Sequence, residues 1–108
     1  MFKNKSLMYN YKKNELLKKE RCIGFEDVIL SLENGNLLDD IFHPNKEKYS
    51  NQDIFIIFIR IKDYVYLVPY IETEDEIFLK TIILSRKMNK KYSTGAKNVR
   101  RIWAWYIK

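Results

Sequence analysis

"DIFIIFIRIKDYVYLVPYIETEDEIFLKTIIL", residues 53–84, is the stretch of sequence that decides the fold. Its first part, residues 53–61, is apolar without alternation, which is typical of a central strand with both faces covered. Lys62-Asp63 predicts a tight turn, and residues 64–72 and 76–84 predict two further strands. Pro69 predicts that its strand lies at an edge of the sheet, or it marks a bulge, because proline cannot donate to a strand ladder.

The residues before this stretch predict two helices and one more strand. Residues 12–21 are good helix formers. A second helix follows Gly24 and ends at Asn34-Gly35, and its apolar residues recur with helical spacing: Phe25, Val28, Ile29 and Leu32. Residues 37–42 then predict a short strand, and residues 43–52 predict a polar loop that contains Pro44.

The residues after the stretch predict a short basic helix that runs from Arg86 to about Tyr92, with Ser85 as its N-cap. The order of elements therefore predicts an α+β domain: a small antiparallel sheet of about four strands, two N-terminal helices on one face and the short basic C-terminal helix. We expect residues 1–93 to form one domain and residues 94–108 to form a basic, aromatic tail. Two helices cannot cover both faces of the sheet, so this tail or a partner protein would cover the second face.

The charge of the chain is concentrated at its C-terminal end. The net charge is +6, yet residues 86–108 contain eight basic side chains and no acidic one, whereas residues 1–85 contain 12 basic and 14 acidic side chains. This asymmetry indicates a polyanionic partner or an acidic protein partner. The structural alternative is a solvated face that keeps the protein in solution.

Composition excludes several classes of protein. One cysteine, Cys22, cannot form an internal disulfide, and one histidine with one cysteine cannot form a zinc site. The longest apolar run, residues 54–59, is far shorter than a membrane helix, and the first residues lack the apolar segment of a signal peptide. The acidic stretch at 72–76 is interpreted as a solvated hairpin loop rather than a cation site. We therefore expect a cytoplasmic protein with no metal, no cofactor and no membrane partner.

The cations around the predicted C-terminal helix are the strongest candidate for a binding site. Arg86 and Lys87 in a first helical turn have the wrong sign for the helix dipole, but they suit an anion bound at that helix start. Lys90 and Lys91 would extend the same surface by one turn. Aromatic side chains beside cations are typical of single-stranded RNA binding, and Tyr70 is a candidate for stacking on a base. The alternative is that such tyrosines are ordinary strand residues packed on a sheet.

Residues 24–92 resemble the BrnT-like toxins of bacterial type II toxin–antitoxin systems, whose fold is similar to that of the RelE ribonuclease superfamily. The pieces that carry the resemblance are "GFEDVI", "HPNKEKY", "YLVPYIE" and above all "FLKTIILSRKMNKKY" (78–92). The resemblance implies a metal-independent endoribonuclease that cleaves mRNA and arrests growth. It also implies a cognate antitoxin that silences the toxin, and contact with operator DNA only through that antitoxin.

Metal-independent cleavage of RNA requires a base for the 2′-hydroxyl, stabilisation of the phosphorane and a proton for the 5′-oxygen. In such a site Arg86 would stabilise the phosphorane. Lys80, Lys87 and Lys91 would hold phosphates or lower the pKa of neighbouring groups. Tyr92 would carry a proton or stack on a base. His43 is the one imidazole and a candidate general acid or base, although a histidine before a proline in a loop is often structural.

A second class of function is compatible with the same residues. The chain would keep the toxin fold and bind an antitoxin or a nucleic acid without cleaving RNA, because no clear acid–base pair can be assigned from spacing. A protein with only a structural role would leave the charge asymmetry unexplained.

Overall fold

The computed structural model describes residues 5–45 and 47–92, and these form six strands and three helices. In chain order they are β1 (Ser6–Tyr9), α1 (Tyr11–Arg21), α2 (Phe25–Glu33), β2 (Leu37–Phe42), β3 (Asp53–Ile59), β4 (Tyr64–Glu72), β5 (Glu76–Leu79), β6 (Ile83–Leu84) and α3 (Arg86–Lys90). The predicted α+β class is confirmed. The predicted tail, residues 94–108, lies outside the described residues.

The sheet is larger than predicted, and it is mixed rather than antiparallel. Its strands lie in the order β1-β5-β4-β3-β2, and β6 pairs with β4 beside β5. β1 pairs with β5 in parallel, and the other pairs are antiparallel. The predicted strand over 76–84 is divided in two by residues 80–82. The structure therefore has more strands than the four or so that were predicted, and β1, which was not predicted, makes the sheet mixed.

Pro69 does not lie in an edge strand, because β4 is flanked by β3 on one side and by β5 and β6 on the other. Its carbonyl accepts the Lys80 backbone N–H at 2.8 Å. In a strand the nitrogen and the carbonyl of one residue point the same way, so the missing N–H of Pro69 faces the interval between β5 and β6. The irregularity that proline requires is therefore in the neighbouring strand, and the edge prediction was wrong.

One face of the sheet is covered by α1 and α2, as predicted. Leu17 of α1 and Phe25 and Val28 of α2 are buried against alternate residues of the central strands. The sheet residues in this main core are Phe55, Ile57, Ile59, Tyr66, Val68, Tyr70, Ile77 and Leu79. Since side chains of a strand alternate between faces, the other residues of β3 and β4 point to the second face.

The two helices are joined by a buried polar contact around Asn14, which is 1% exposed. Its Oδ1 accepts the Phe25 backbone N–H at 2.7 Å, and its Nδ2 donates to both carboxylate oxygens of Glu26 at 3.1 Å. Gly24 lies directly beside this contact, and a Cβ there would come within 2.5 Å of Glu26 Oε1. A side chain at position 24 would therefore displace the Glu26 carboxylate from its bond with Asn14.

The second face carries a smaller apolar cluster, and α3 contributes to it. Ile56, Phe58 and Val65 form its buried centre, and Met88 and Tyr92 pack against them. The chain just after the meander therefore covers part of this face, where the sequence had predicted the tail or a partner. Within the described residues no helix has the length and apolar character that crossing a membrane requires.

Candidate nucleic-acid interface

The short helix α3 is fixed to the start of β4 by side-chain and main-chain hydrogen bonds. Ser85 is its N-cap, as predicted, and the Ser85 Oγ accepts the Met88 backbone N–H at 3.2 Å. The Ser85 N–H donates to the Val65 carbonyl at 3.2 Å, and the Val65 N–H donates to Asn89 Oδ1 at 3.1 Å. These bonds to the N–H and the carbonyl of Val65 give α3 a defined position on the second face of the sheet.

The outer side of α3 and its C-cap residue present four cations to solvent. The side chains of Arg86, Lys87, Lys90 and Lys91 are exposed, whereas Met88 faces the apolar cluster. Within the described part of the chain the ion pairs belong to Lys5 and Lys18, and none involves these four cations. We call these four residues the basic surface. Because none of its cations is held in an ion pair within the described residues, it can attract a polyanion.

The helix start itself does not account for this attraction. α3 is five residues long, so few peptide dipoles add up along it, and the Ser85 hydroxyl already accepts the Met88 N–H. The predicted anion site at the helix start is therefore not supported, and binding by the basic surface rests on its side chains.

Lys80 lies on the same face of the sheet as α3. Ile77 and Leu79 point into the core under the helices, so alternation places Phe78 and Lys80 on the opposite side. Lys80 is exposed, and its Nζ lies 5.4 Å from the centre of the Phe78 ring. The sheet therefore directs Lys80 to the side that carries the basic surface.

Tyr92 is half-buried in the second apolar cluster, next to the basic surface. Burial is the main cause that raises the pKa of its phenol, and the charge of Asp39 on β2 raises it further. The Lys91 Nζ lies 5.7 Å from the centre of the Tyr92 ring. At neutral pH the phenol therefore keeps its proton. Asp39 was not among the predicted site residues, because its approach to Tyr92 depends on how β2 pairs with β3.

His43 lies in the loop between β2 and β3, and its contacts are local. Its Nδ1 accepts the Asn45 backbone N–H at 3.0 Å, and its ring centre lies 4.3 Å from that of Tyr49. Its own backbone N–H donates to the Gln52 carbonyl at 3.3 Å. In the described residues no hydrogen bond or ring contact joins His43 to α3, so the structure does not bring it together with Arg86.

Tyr70 lies on the opposite face from the basic surface, and this overturns its predicted role in stacking. The residue is 3% exposed, and its ring stacks on Phe55 with the ring centres 3.9 Å apart. Its hydroxyl donates to Asp40 Oδ1 at 2.6 Å, and burial together with that carboxylate holds the pKa of the phenol far above its usual range. Tyr70 is a core residue, since α1 and α2 cover the face on which it lies.

A polar residue that the sequence analysis did not single out is buried at the end of α2. Asn36 is 1% exposed, and among the described residues its Oδ1 has no hydrogen-bond partner. It borders a cavity together with Asp27, Ser31 and Arg60. The sequence "NGN" at 34–36 is typical of a turn. Only the fold shows that Asn36 is buried.

Within residues 5–45 and 47–92, no group of three His, Cys, Asp or Glu side chains lies close enough together to hold a metal ion. Comparison of the chain with protein families, with curated proteins and with solved structures gave no match. The resemblance to BrnT-like toxins therefore stays a hypothesis that rests on the quoted residues.

Proposed function

We propose that this protein is the toxin of a bacterial toxin–antitoxin pair, a metal-independent endoribonuclease that cleaves mRNA and that a cognate antitoxin neutralises. The observation that carries the proposal is the basic surface. Its four exposed cations have no ion-pair partner within the described residues and lie on, or directly after, a helix anchored to the sheet. Such a surface suits the phosphates of a single strand, and it coincides with the motif on which the toxin resemblance mainly rests.

In the proposed reaction the 2′-oxygen of a ribose forms a bond to the adjacent phosphorus, and the bond from phosphorus to the 5′-oxygen breaks. Arg86 neutralises the charge of the phosphorane, and Lys87 and Lys91 hold the flanking phosphates. Tyr92, which keeps its proton at neutral pH, donates it to the leaving oxygen. Asp39 lies in register with Ile56 of the apolar cluster against which Tyr92 packs, and in this reaction it accepts the proton of the 2′-hydroxyl.

The proposal is tested by inducing the protein in a bacterial host and following total RNA over the first minutes. We expect rapid loss of mRNA and growth arrest, and rescue when the antitoxin is co-expressed. Cells that carry the vector without the gene are the control. Normal growth with intact RNA, while the folded protein accumulates, would contradict the ribonuclease and leave a binding protein.

A second candidate is a toxin-fold protein that binds an antitoxin or nucleic acid without cleavage. The location of His43 favours it, because the one imidazole makes its contacts within its own loop and none with α3 in the described residues. Both candidates require the basic surface to bind a polyanion. They differ only in whether bound RNA is cut.

Binding by the basic surface predicts a defined dependence on salt. Each phosphate contact to a single strand contributes about −0.7 to the slope of log K against log salt concentration. The double substitution Arg86→Gln and Lys90→Gln should therefore make that slope less negative by about 1.4. The measurement is fluorescence anisotropy with a labelled 2′-O-methyl oligonucleotide, which lacks the 2′-hydroxyl needed for cleavage.

The charge-matched control is Lys12→Gln with Lys19→Gln, since both side chains are exposed on α1 and form no ion pair within the described residues. An equal change of slope in both double variants would show that binding follows net charge and not the basic surface.

A further inference from the structure

The second face of the sheet extends beyond the part against which α3 packs. The α3 helix is bonded to Val65 at the start of β4. Near the other end of β4, three side chains in register form a row across neighbouring strands of this face: Met8 of β1, Phe78 of β5 and Ile71 of β4. Met8 is 41% exposed, and the other two are half-buried. This row presents an aromatic ring between two aliphatic side chains.

Lys80 lies between this row and α3. Its backbone N–H donates to the Pro69 carbonyl at 2.8 Å, which places it part-way along β4. Its side chain is exposed and forms no ion pair within the described residues. The Lys80 Nζ lies 5.4 Å from the centre of the Phe78 ring, a distance typical of a cation–π contact. An aromatic ring and an uncompensated cation are therefore adjacent on this face.

A second pair of the same kind lies beside α3, where the Lys91 Nζ is 5.7 Å from the centre of the Tyr92 ring. Lysines beside aromatic rings are the combination that binds single-stranded nucleic acid, because bases stack on the rings and phosphates contact the cations. From Val65 to Ile71, β4 covers about 20 Å at a rise of about 3.3 Å per residue. The two pairs are therefore far enough apart to contact different nucleotides of one strand.

Carboxylates lie beyond Phe78, at the end of the sheet away from α3. Alternation places Glu76 on the same face as Phe78, and Glu74 and Asp75 are exposed in the turn before β5. These charges would repel the phosphates of a nucleic acid. A bound strand would therefore end near Phe78 and extend from there past Lys80 towards the basic surface.

We propose that this face binds single-stranded RNA along β4, with one base stacked on Phe78 and a phosphate held by Lys80. The strand then continues to the basic surface. Phe78 is distant from Arg86, so it contributes to binding and not to the chemical step. A duplex buries its bases in the stack, so this site favours a single strand. The inference rests on the proposed function in one respect, since it takes the ligand to be RNA.

The test combines a change in the protein with a change in the RNA, and it uses the full-length chain and fluorescence anisotropy. One probe is a labelled 2′-O-methyl oligonucleotide of mixed sequence, and the other has the same backbone without bases. Phe78→Leu removes the ring and keeps an apolar side chain. We expect it to weaken binding of the intact probe about tenfold, without changing the salt slope. Binding of the abasic probe should not change, because stacking requires a base.

Lys80→Gln tests the phosphate contact separately. The side chain is exposed, so the variant should fold, and the slope of log K against log salt concentration should become less negative by about 0.7. The matched control is Phe42→Leu, the same change at a phenylalanine of β2 that is 76% exposed on the opposite face of the sheet. It should leave the binding of both probes unchanged.

Unchanged binding by Phe78→Leu and Lys80→Gln would overturn the site. That is the result expected if residues 94–108, a second copy of the chain or a partner protein occupies this face. Equal weakening of the intact and abasic probes by Phe78→Leu would overturn the stacking. Neither result depends on cleavage. Loss of mRNA on induction with unchanged binding would reject this site and keep the ribonuclease, whereas binding that depends on Phe78 without loss of mRNA would do the reverse.

Discussion

Replacing Arg86 with alanine is expected to slow RNA cleavage by about 10²- to 10³-fold, the loss typical of removing one group that stabilises charge in a transition state. The guanidinium is exposed and has no ion pair within the described residues, so in the proposed reaction its charge would be available to the developing phosphorane. The measurement is the single-turnover cleavage rate of a labelled RNA under saturating protein, which separates the chemical step from binding. In cells the same substitution should abolish growth arrest.

The stability of the variant should stay within about 0.5 kcal/mol of the wild type, because surface substitutions away from special contacts have small effects. The matched control is Lys19→Ala, an exposed cation on α1 without an ion pair within the described residues. A control that slows cleavage as much as Arg86→Ala would show a general charge effect. An unchanged rate for Arg86→Ala would remove Arg86 from the mechanism and make Lys87 the next residue to test.

The parts of the fold that were predicted correctly depend on local signals. The strands at 53–59 and 64–72 follow from apolar runs and a turn, and α2 follows from helical spacing between a glycine start and an Asn-Gly stop. β1 has no such signal, since it is four residues long and becomes a strand by pairing Ser6–Tyr9 with Glu76–Leu79 far along the chain. A tertiary contact decides its structure, and a local pattern cannot report it.

In the candidate site, too, the residues predicted correctly are those with a local signal, and the residues missed depend on tertiary contacts. Ser85 and the cations after it were predicted from adjacent residues, and the structure places α3 as expected. Tyr70 was misassigned because strand alternation tells which residues share a face but not which face the helices cover. Asp39 and Asn36 were missed because their surroundings come from strands and turns that are distant in sequence, through the pairing of β2 with β3 and the approach of the β3–β4 turn to α2.

Replacing Phe55 with alanine is expected to lower the free energy of unfolding by about 3–5 kcal/mol, which is a large part of the stability of a small domain. The side chain is fully buried, in register with Asp40 on β2 and Val68 on β4. Its ring stacks on Tyr70, whose hydroxyl is bonded to Asp40. Truncation would leave a cavity under α1 and α2 and remove the surface that holds the Tyr70 ring in place. The measurement is urea unfolding followed by far-ultraviolet circular dichroism.

The control is Phe42→Ala, the same change at a residue of β2 that is 76% exposed, which should cost about 1 kcal/mol or less. If Phe55→Ala does not fold, Phe55→Leu keeps most of the volume and should lose about 1 kcal/mol. Equal losses for Phe42→Ala and Phe55→Ala would contradict the assignment of Phe55 to the main core. Because Tyr70 and Asp40 depend on the same ring, that result would also contradict the placement of Tyr70 on the face that α1 and α2 cover.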